Sequence, residues 1–490
     1  MKKKFFLHTI LYTVAPKLPT IAAFIVLPIT SPYLTLEDYG KFGLVIACYS
    51  LFLLSVTLGQ RVILQNSFFE YPAKFPLVWK RSYGIMTLGS ILGSVLLAGV
   101  LYIFLKEGFN KEYFLVTGLC VFALIASPIE SLAQVYYTLS ERPLTITLRA
   151  IIMSVLNIII LIITIKYFRL GFLGLVLGFT SSTFFSLLFY LYPLCIKLKI
   201  YPLFFFKKKH FKEYLRVGLP LLPHNLSLAI FNTSDRMLLG FYKVNVSAIG
   251  LYSQGYGIGA NAMVLLNGIF SAISKTLQLS FRNKTEENKF RLRRIFITLI
   301  SGVGLMFFNI CLWMKEIYMF LFRKPELQTG YPVAIIVLMS HIFFPLYSFG
   351  VYSLFITKNT RIVAKITFFS ALINVILNLI LIPFYGIWAS LLTTSLSFIF
   401  LSIMVLFIKE VKAYLKWIFR NIVLVYAIFI AYGISLTLFA WLLKDVTWQS
   451  KIFITIANIA IAMIFYQYRK QIFSKRHKIL SVVNEKIRNN

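Results

Sequence analysis

The chain has 490 residues, 59% of them hydrophobic and 13% charged, with 50 Lys and Arg against 16 Asp and Glu. In a soluble protein a net charge of +34 would point to nucleic acid, but here a mean hydropathy of +0.81 leaves no stretch for a soluble domain. The composition excludes a nucleic-acid-binding module and describes an all-α polytopic membrane protein.

A hydrocarbon core about 30 Å thick takes roughly 20 apolar residues as a helix, because lipid offers no partner for an unpaired backbone group. Fourteen segments meet that need, at about 10–31, 41–60, 82–105, 113–139, 145–165, 170–192, 217–242, 248–274, 291–313, 328–355, 362–382, 385–406, 421–443 and 452–468. The first follows the basic start MKKKFFLHTI, contains Lys17 and lacks a small-residue cleavage site, so it reads as a retained helix. Lys17 falls about seven residues into it, roughly 10 Å deep at 1.5 Å per residue. Ionisable residues inside apolar helices are costly and usually face a cavity or a partner, unless a long stem snorkels to the interface. By that rule Lys17, Glu130 in the fourth helix, and Asp235 and Arg236 in the seventh are the candidate cavity residues.

Glu130 follows Ser127-Pro128-Ile129, where proline frees a backbone carbonyl and favours a polar pocket. It reads either as a proton or cation site or as the partner of Lys17. Asp235 and Arg236 are consecutive, so on a helix of 3.6 residues per turn they point about 100° apart and do not simply neutralise one another. Their alternative role is an anchor at the outer interface. Arg61, at the inner end of the second helix, and Arg149, at the start of the fifth, lie on the predicted cytoplasmic rim, either to meet an anionic head group or as ordinary topological charge.

With the N-terminus placed inside, 37 of the 50 Lys and Arg fall in cytoplasmic segments and ten in outer loops. This bias predicts both termini in the cytoplasm. The main basic blocks, Lys207 to Lys212 with Arg216, Arg291 to Arg294, and the tail from Arg469, serve topology and attraction to anionic lipid. Cys48, Cys120, Cys195 and Cys311 show no metal or disulfide spacing and read as packing residues. The five histidines are scattered, and no motif supports covalent catalysis, a metal or a cofactor. Tyr252, Tyr256, Tyr136 and Tyr137 are candidates to stack on sugar faces.

The chain also contains an internal repeat. Pro16-Lys17-Leu18-Pro19 aligns with Pro220-Leu221-Leu222-Pro223, Tyr39-Gly40 with Ile249-Gly250, Leu156-Asn157 with Ile373-Asn374, and Gly171-Phe172-Leu173-Gly174 with Gly386-Ile387-Trp388-Ala389. Six helices separate each pair, so the copies run in the same direction. The predicted organisation is two parallel six-helix lobes, residues 1–200 and 201–410, followed by two extra helices and a basic tail in 411–490. Parallel repeats of this kind occur in transporters that rock two halves about a central site.

The stretch Gly218-Leu219-Pro220-Leu221-Leu222-Pro223-His224-Asn225, continuing through Asn232-Thr233-Ser234-Asp235-Arg236 to Ile249-Gly250-Leu251-Tyr252, resembles the polysaccharide-transport flippases called Wzx. These belong to the exporter superfamily that also holds multidrug extruders and the lipid II flippase. Leu36-Glu37-Asp38-Tyr39-Gly40, and Asn374 followed by Tyr385-Gly386-Ile387, are similar to other recurring family segments. The resemblance implies a substrate of undecaprenyl-diphosphate-linked oligosaccharide units, for O-antigen, capsule or another surface polysaccharide. It implies their movement from the cytoplasmic to the outer leaflet of the bacterial inner membrane by alternating access. A polysaccharide polymerase or chain-length regulator would be a partner, alongside the lipid bilayer, with no nucleic acid. Lys17 and Arg236 would then belong to a cationic cavity, although only these two basic residues lie well within the helices.

Two other functions stay open on the sequence. An ion-coupled multidrug exporter of the same fold would be expected to carry several embedded carboxylates, and only Glu130 and Asp235 are present. A membrane glycan polymerase would need a sizeable outer loop, whereas the longest predicted one is 314–327.

Overall fold

The computed structural model describes residues 18–56, 59–70, 74–109, 112–205, 216, 222–356, 360–461 and 463. Lys17 with Pro16, the basic block from Lys207, Gly218 to Leu221, and the tail from Arg469 lie outside those residues. All regular elements among the described residues are helical. They are α1 (Leu18–Thr30), α2 (Leu36–Val56), α3 (Gln60–Glu70), α4 (Phe75–Phe109), α5 (Glu112–Leu139), α6 (Pro143–Leu161), α7 (Phe172–Leu191), α8 (Leu222–Phe241), α9 (Val246–Gly259) and α10 (Ala262–Arg282). There follow α11 (Glu286–Leu312), α12 (Met314–Leu321), α13 (Pro325–Gln328), α14 (Tyr331–Ser340), α15 (Phe344–Ile356), α16 (Thr360–Tyr385), α17 (Ile387–Met404), α18 (Lys409–Ile418), α19 (Ile422–Leu442) and α20 (448–461).

Ten stretches of this set are long and apolar enough to cross a membrane. The other four expected spans coincide with α1, α2, α8 and α20, each of which adjoins residues outside the described set. Several boundaries differ from expectation for local reasons. Helix α2 starts at Leu36 rather than near 41, because Thr35 and Asp38 form a capping box: Asp38 Oδ2 accepts from the Thr35 N–H and hydroxyl at 2.8 Å, and the Asp38 N–H donates to Thr35 Oγ1 at 3.2 Å. The expected helix 248–274 is interrupted at Ala260-Asn261, where the Asn261 amide takes the Gly257 carbonyl at 2.6 Å. The expected helix 328–355 is divided by a 3₁₀ turn over His341–Phe343, just before Pro345, which has no N–H to continue the ladder.

The repeat landmarks occupy matching positions. Gly171 and Gly386 cap α7 and α17 with φ/ψ of 54°/−128° and 54°/−130°. That conformation strains any residue with a Cβ, which explains the glycine in both copies. Asn157 of α6 donates to Ser181 Oγ of α7 at 3.4 Å and to the Gly178 carbonyl, while Asn374 of α16 donates to Ser397 Oγ of α17 at 3.2 Å. The packing pairs repeat as well: α1 on α6 and α5 on α7 in the first copy, α8 on α16 and α14 on α17 in the second.

The two copies meet where α2 lies along α9, the most extensive contact between any two helices. Glycines make this possible, and they do so reciprocally. A Cβ on Gly40 would overlap the Val246 carbonyl, one on Gly250 would overlap the Leu36 carbonyl, and one on Gly43 would overlap the Ser253 hydroxyl. Close approach of two backbones is the usual reason for small residues at membrane helix interfaces.

Beyond the repeats, α19 and α20 are fastened to the second copy. Lys451 has no exposed surface, and its Nζ bonds both carboxylate oxygens of Glu316 in α12, at 2.7 and 2.9 Å, and the Lys444 carbonyl at 3.3 Å. Trp313 Nε1 donates to Thr455 Oγ1 at 3.0 Å, and its ring meets Trp448 edge-on. Asp445, in the connecting turn, accepts from Lys315 Nζ and from the Tyr331 hydroxyl, both at 2.8 Å, and the Lys315 bond above all holds its carboxyl below the ordinary value. Removing one partner of a buried ion pair strands the other. Lys451→Met should therefore destabilise the protein by about 3 kcal/mol, seen as a lower melting temperature in detergent, with Glu316→Gln/Lys451→Met recovering part of the loss. An unchanged melting temperature in the single variant would show that Glu316 is adequately solvated alone.

Candidate functional site

A cavity of about 660 Å³ lies between the two copies. It extends along α1 from Pro19 to Thr30, about 16 Å at 1.5 Å per residue. Its walls also draw on α2, α5, α6 and α7 of the first copy and on α8 and α9 of the second. Most of the lining is apolar, including Phe24, Leu27, Phe42 and Phe179. Among the lining residues Glu130 is the one carboxylic acid and Arg236 the one basic side chain.

Arg236 reaches this cavity from α8. Its guanidinium lies over the Tyr256 ring at 4.3 Å, and its Nε is buried with no hydrogen-bond partner among the described residues. The neighbouring Asp235 points elsewhere. It is 2% exposed, accepts from the Tyr252 hydroxyl, and its Oδ1 takes the Arg236 backbone N–H at 2.8 Å. Consecutive on one helix, the two side chains have different neighbours: Arg236 lines the cavity and Asp235 lies in the α8–α9 interface. Asp235 is a cavity candidate that the structure removes from the cavity wall.

Glu130 lines the cavity from α5. Its Oε2 accepts from Ser186 Oγ of α7 at 3.2 Å and its Oε1 from Gln134 Nε2 at 3.3 Å. Just before it, Pro128 cannot donate to the Leu124 carbonyl, and the Ser127 hydroxyl does so instead at 2.8 Å. The local polarity expected from proline is therefore present, though part of it is satisfied within the helix. Lys17, proposed as Glu130's partner, lies outside the described residues.

The rim residues separate. Arg61 is exposed at the start of the short helix α3 rather than at the end of α2. Arg149 of α6 is half-buried; its Nη1 donates to the Tyr137 hydroxyl at 2.7 Å, and its guanidinium lies between the rings of Tyr137 and Tyr190, at 4.9 and 5.1 Å. The tyrosines expected to stack on sugars are largely committed to the protein. Tyr252 is wholly buried against Asp235, Tyr256 carries Arg236, Tyr137 carries Arg149, and Tyr136 packs on Trp79. Cys48, Cys120 and Cys311 are free and buried, as packing residues should be.

Sequence reasoning missed two features. A polar chain runs through the second copy beside Asp235: Ser234 Oγ donates to Asn374 Oδ1 at 3.2 Å, Asn378 Nδ2 to the same oxygen at 3.1 Å, and Thr393 Oγ1 to Asn378 Oδ1 at 2.7 Å. The spacing of Asn374 and Asn378, four apart on one helix face, was the available signal. The second is a seal over one end of the cavity. There Ser31 Oγ donates to the Leu321 carbonyl at 3.2 Å and accepts the Arg323 N–H at 3.1 Å, and Lys324 Nζ donates to the Leu34 carbonyl at 2.8 Å. Together with the reciprocal glycine contact of α2 and α9, these bonds close the end that charge bias predicts to be outer. A second cavity of about 420 Å³, lined by Phe231, Phe270, Tyr352 and Phe398 among others, lies within the second copy, and no Asp, Glu, His, Lys or Arg is among its lining residues.

Among solved structures the fold is similar to the lipid II flippase MurJ in an inward closed conformation, with a TM-score of 0.60 and 16% identity over 88% of this chain and 98% of that one. It is likewise similar to an inward-facing multidrug resistance MATE family transporter of the MOP superfamily, with a TM-score of 0.59 and 15% identity over 83% and 99% of the two chains. A Vibrio cholerae MATE transporter aligns with a TM-score of 0.51 and 13% identity over 84% and 97%. At these identities the likeness is one of fold. No curated protein matches the sequence. Residues 6–277 match the model of a family described as "Polysaccharide biosynthesis protein". That match spans more than half of the chain, including nearly all of the first copy and the α2–α9 contact, and with it the chain belongs to the polysaccharide biosynthesis protein family.

Proposed function

We propose that this protein carries polyprenyl-diphosphate-linked oligosaccharide units across the bacterial inner membrane, from the cytoplasmic to the outer leaflet, by alternating access and without covalent change. The observation that carries the proposal is the Arg236 guanidinium, with an orphaned Nε, on the wall of a cavity shared by both copies. A guanidinium fork suits phosphate oxygens and gains strength in an apolar, low-dielectric setting. A cavity of about 660 Å³ has the size that encloses a drug-sized head group, so the diphosphate and the first sugars enter while the prenyl tail stays in lipid. Arg149, with Arg61, would meet the diphosphate at the cytoplasmic entrance, and Lys17 would add a second positive charge within. The two lobes, 1–200 and 201–410, would rock about the α2–α9 contact, with 411–490 riding on the second lobe. A polymerase or chain-length regulator would take over the unit at the outer leaflet.

Family membership and the fold shared with a lipid II flippase support this reading. One observation favours a second: Glu130, a cavity carboxylate with no ion-pair partner among the described residues, would suit an exporter of organic cations. Deleting the gene in its native host separates the two. Lipid-linked single repeat units should accumulate on the cytoplasmic face, as read by an impermeant glycan-modifying reagent on intact cells and inverted vesicles, with surface polymer lost. Single units on the outer face without polymer would assign the protein to polymerisation, and unchanged glycans would favour the exporter.

A further inference from the structure

The acid and the base on the cavity wall come from opposite copies, Glu130 from the first and Arg236 from the second. Arg236 answers to a phosphate. The placement of Glu130 has a different logic, because a carboxylate repels the very group that Arg236 attracts. It is also held in position: one oxygen accepts from Ser186 and the other from Gln134, both neutral donors, at 3.2 and 3.3 Å. A carboxylate has about four acceptor sites and donates nothing when ionised. Two of Glu130's are used by these donors. The remaining two have no partner among the described residues, on the wall of a cavity that is otherwise mostly apolar.

An acceptor held by two such donors suits the hydroxyls of a sugar, or an ammonium, and such pre-organisation lowers the ordering cost of binding. A sugar that itself carries a carboxylate meets like charge in the same place. Resting on the flippase reading above, we propose that Glu130 determines substrate specificity: it accepts hydroxyls of a neutral or amino sugar close to the diphosphate and excludes units whose proximal sugar is a uronic acid. This identifies the glycan class as one without an acidic sugar next to the lipid diphosphate. It also accounts for a cavity wall with a single guanidinium among the described residues, since the phosphates would be the only anionic groups to neutralise.

The test uses the purified full-length protein in phosphatidylethanolamine/phosphatidylglycerol proteoliposomes and two short-chain polyprenyl diphosphates of equal length, one bearing a neutral N-acetylhexosamine disaccharide, the other with a hexuronate as its proximal sugar. The wild-type protein should bind the neutral probe about tenfold or more tightly than the uronate probe, the effect of roughly one charge repulsion. Glu130→Gln should bring the two within about threefold. Glu130→Asp, which keeps the charge, should retain the preference, and so should Lys17→Ala. Arg236→Ala should weaken both probes by a similar factor and leave their ratio unchanged. Equal wild-type affinities for the two probes, or an E130Q variant that shifts both by the same factor, would overturn the specificity assignment while leaving the flippase reading intact. Binding of neither probe to the wild-type protein would overturn both.

Discussion

Arg236→Ala should reduce translocation by about two orders of magnitude at matched protein level. The size follows from losing one charge-assisted fork in a low-dielectric cavity, about 3 kcal/mol, at 1.4 kcal/mol per decade. Arg236 stacks on Tyr256 and makes no ion pair or side-chain hydrogen bond among the described residues, but its charge also lies near the buried Asp235, so activity is compared at equal protein level. Arg236→Lys keeps the charge and loses the fork, so it should fall between, about tenfold below wild type. Complementation of a deletion strain at matched protein level, scored by surface polymer, measures all three. Full activity of the alanine variant would remove Arg236 from the transport site. Asp235 should behave differently despite being its neighbour, because Asp235→Ala strands Tyr252 inside the α8–α9 interface and acts through stability.

Gly250→Val should also impair transport strongly, for a reason unrelated to the substrate. A side chain at that position overlaps the Leu36 carbonyl and approaches the Gly40 nitrogen, itself only 2.9 Å from the added carbon, so α2 and α9 cannot keep their spacing. The overlap is with backbone, which has no rotamer to escape into. If closure at this end belongs to the transport cycle, transport should drop at least about tenfold. A cysteine placed at the cavity-lining Gln254, in a background lacking the native cysteines, should become several-fold more reactive to an impermeant maleimide from that side. Normal transport together with unchanged labelling would show that the two helices need not touch.

Much of the fold was legible because membrane helices advertise themselves by length and hydropathy. The repeat was legible because its landmarks are residues whose role lies in the backbone. Gly171 and Gly386 share one left-handed conformation, and Gly40 and Gly250 serve one contact. Helix interruptions were harder to read. Apolar character continues across Ala260-Asn261 and across His341–Phe343, so periodicity gives no sign of them, and only the Asn261 side chain and Pro345 mark the places. For the site, burial cost singled out Glu130 and Arg236, which line the cavity, but it could not distinguish a charge facing a cavity from one buried in an interface, which is how Asp235 came to be grouped with them. Lys451 illustrates the opposite error. A lysine in a predicted outer loop looks solvated until the fold brings Glu316, distant in sequence, against it.

The reciprocal contact between α2 and α9 has an evolutionary reading. In an isologous interface the same patch faces itself across a two-fold axis, so whatever residue i does to residue j is done again by j's counterpart. Gly40 on Val246 and Gly250 on Leu36 have that relation, because the same offset of 210 separates Gly40 from Gly250 and Leu36 from Val246. A six-helix ancestor pairing with its own copy would have needed one glycine to make both contacts. Fusion of two such genes would then have freed the halves to diverge, leaving a carboxylate on one side of the cavity and a guanidinium on the other.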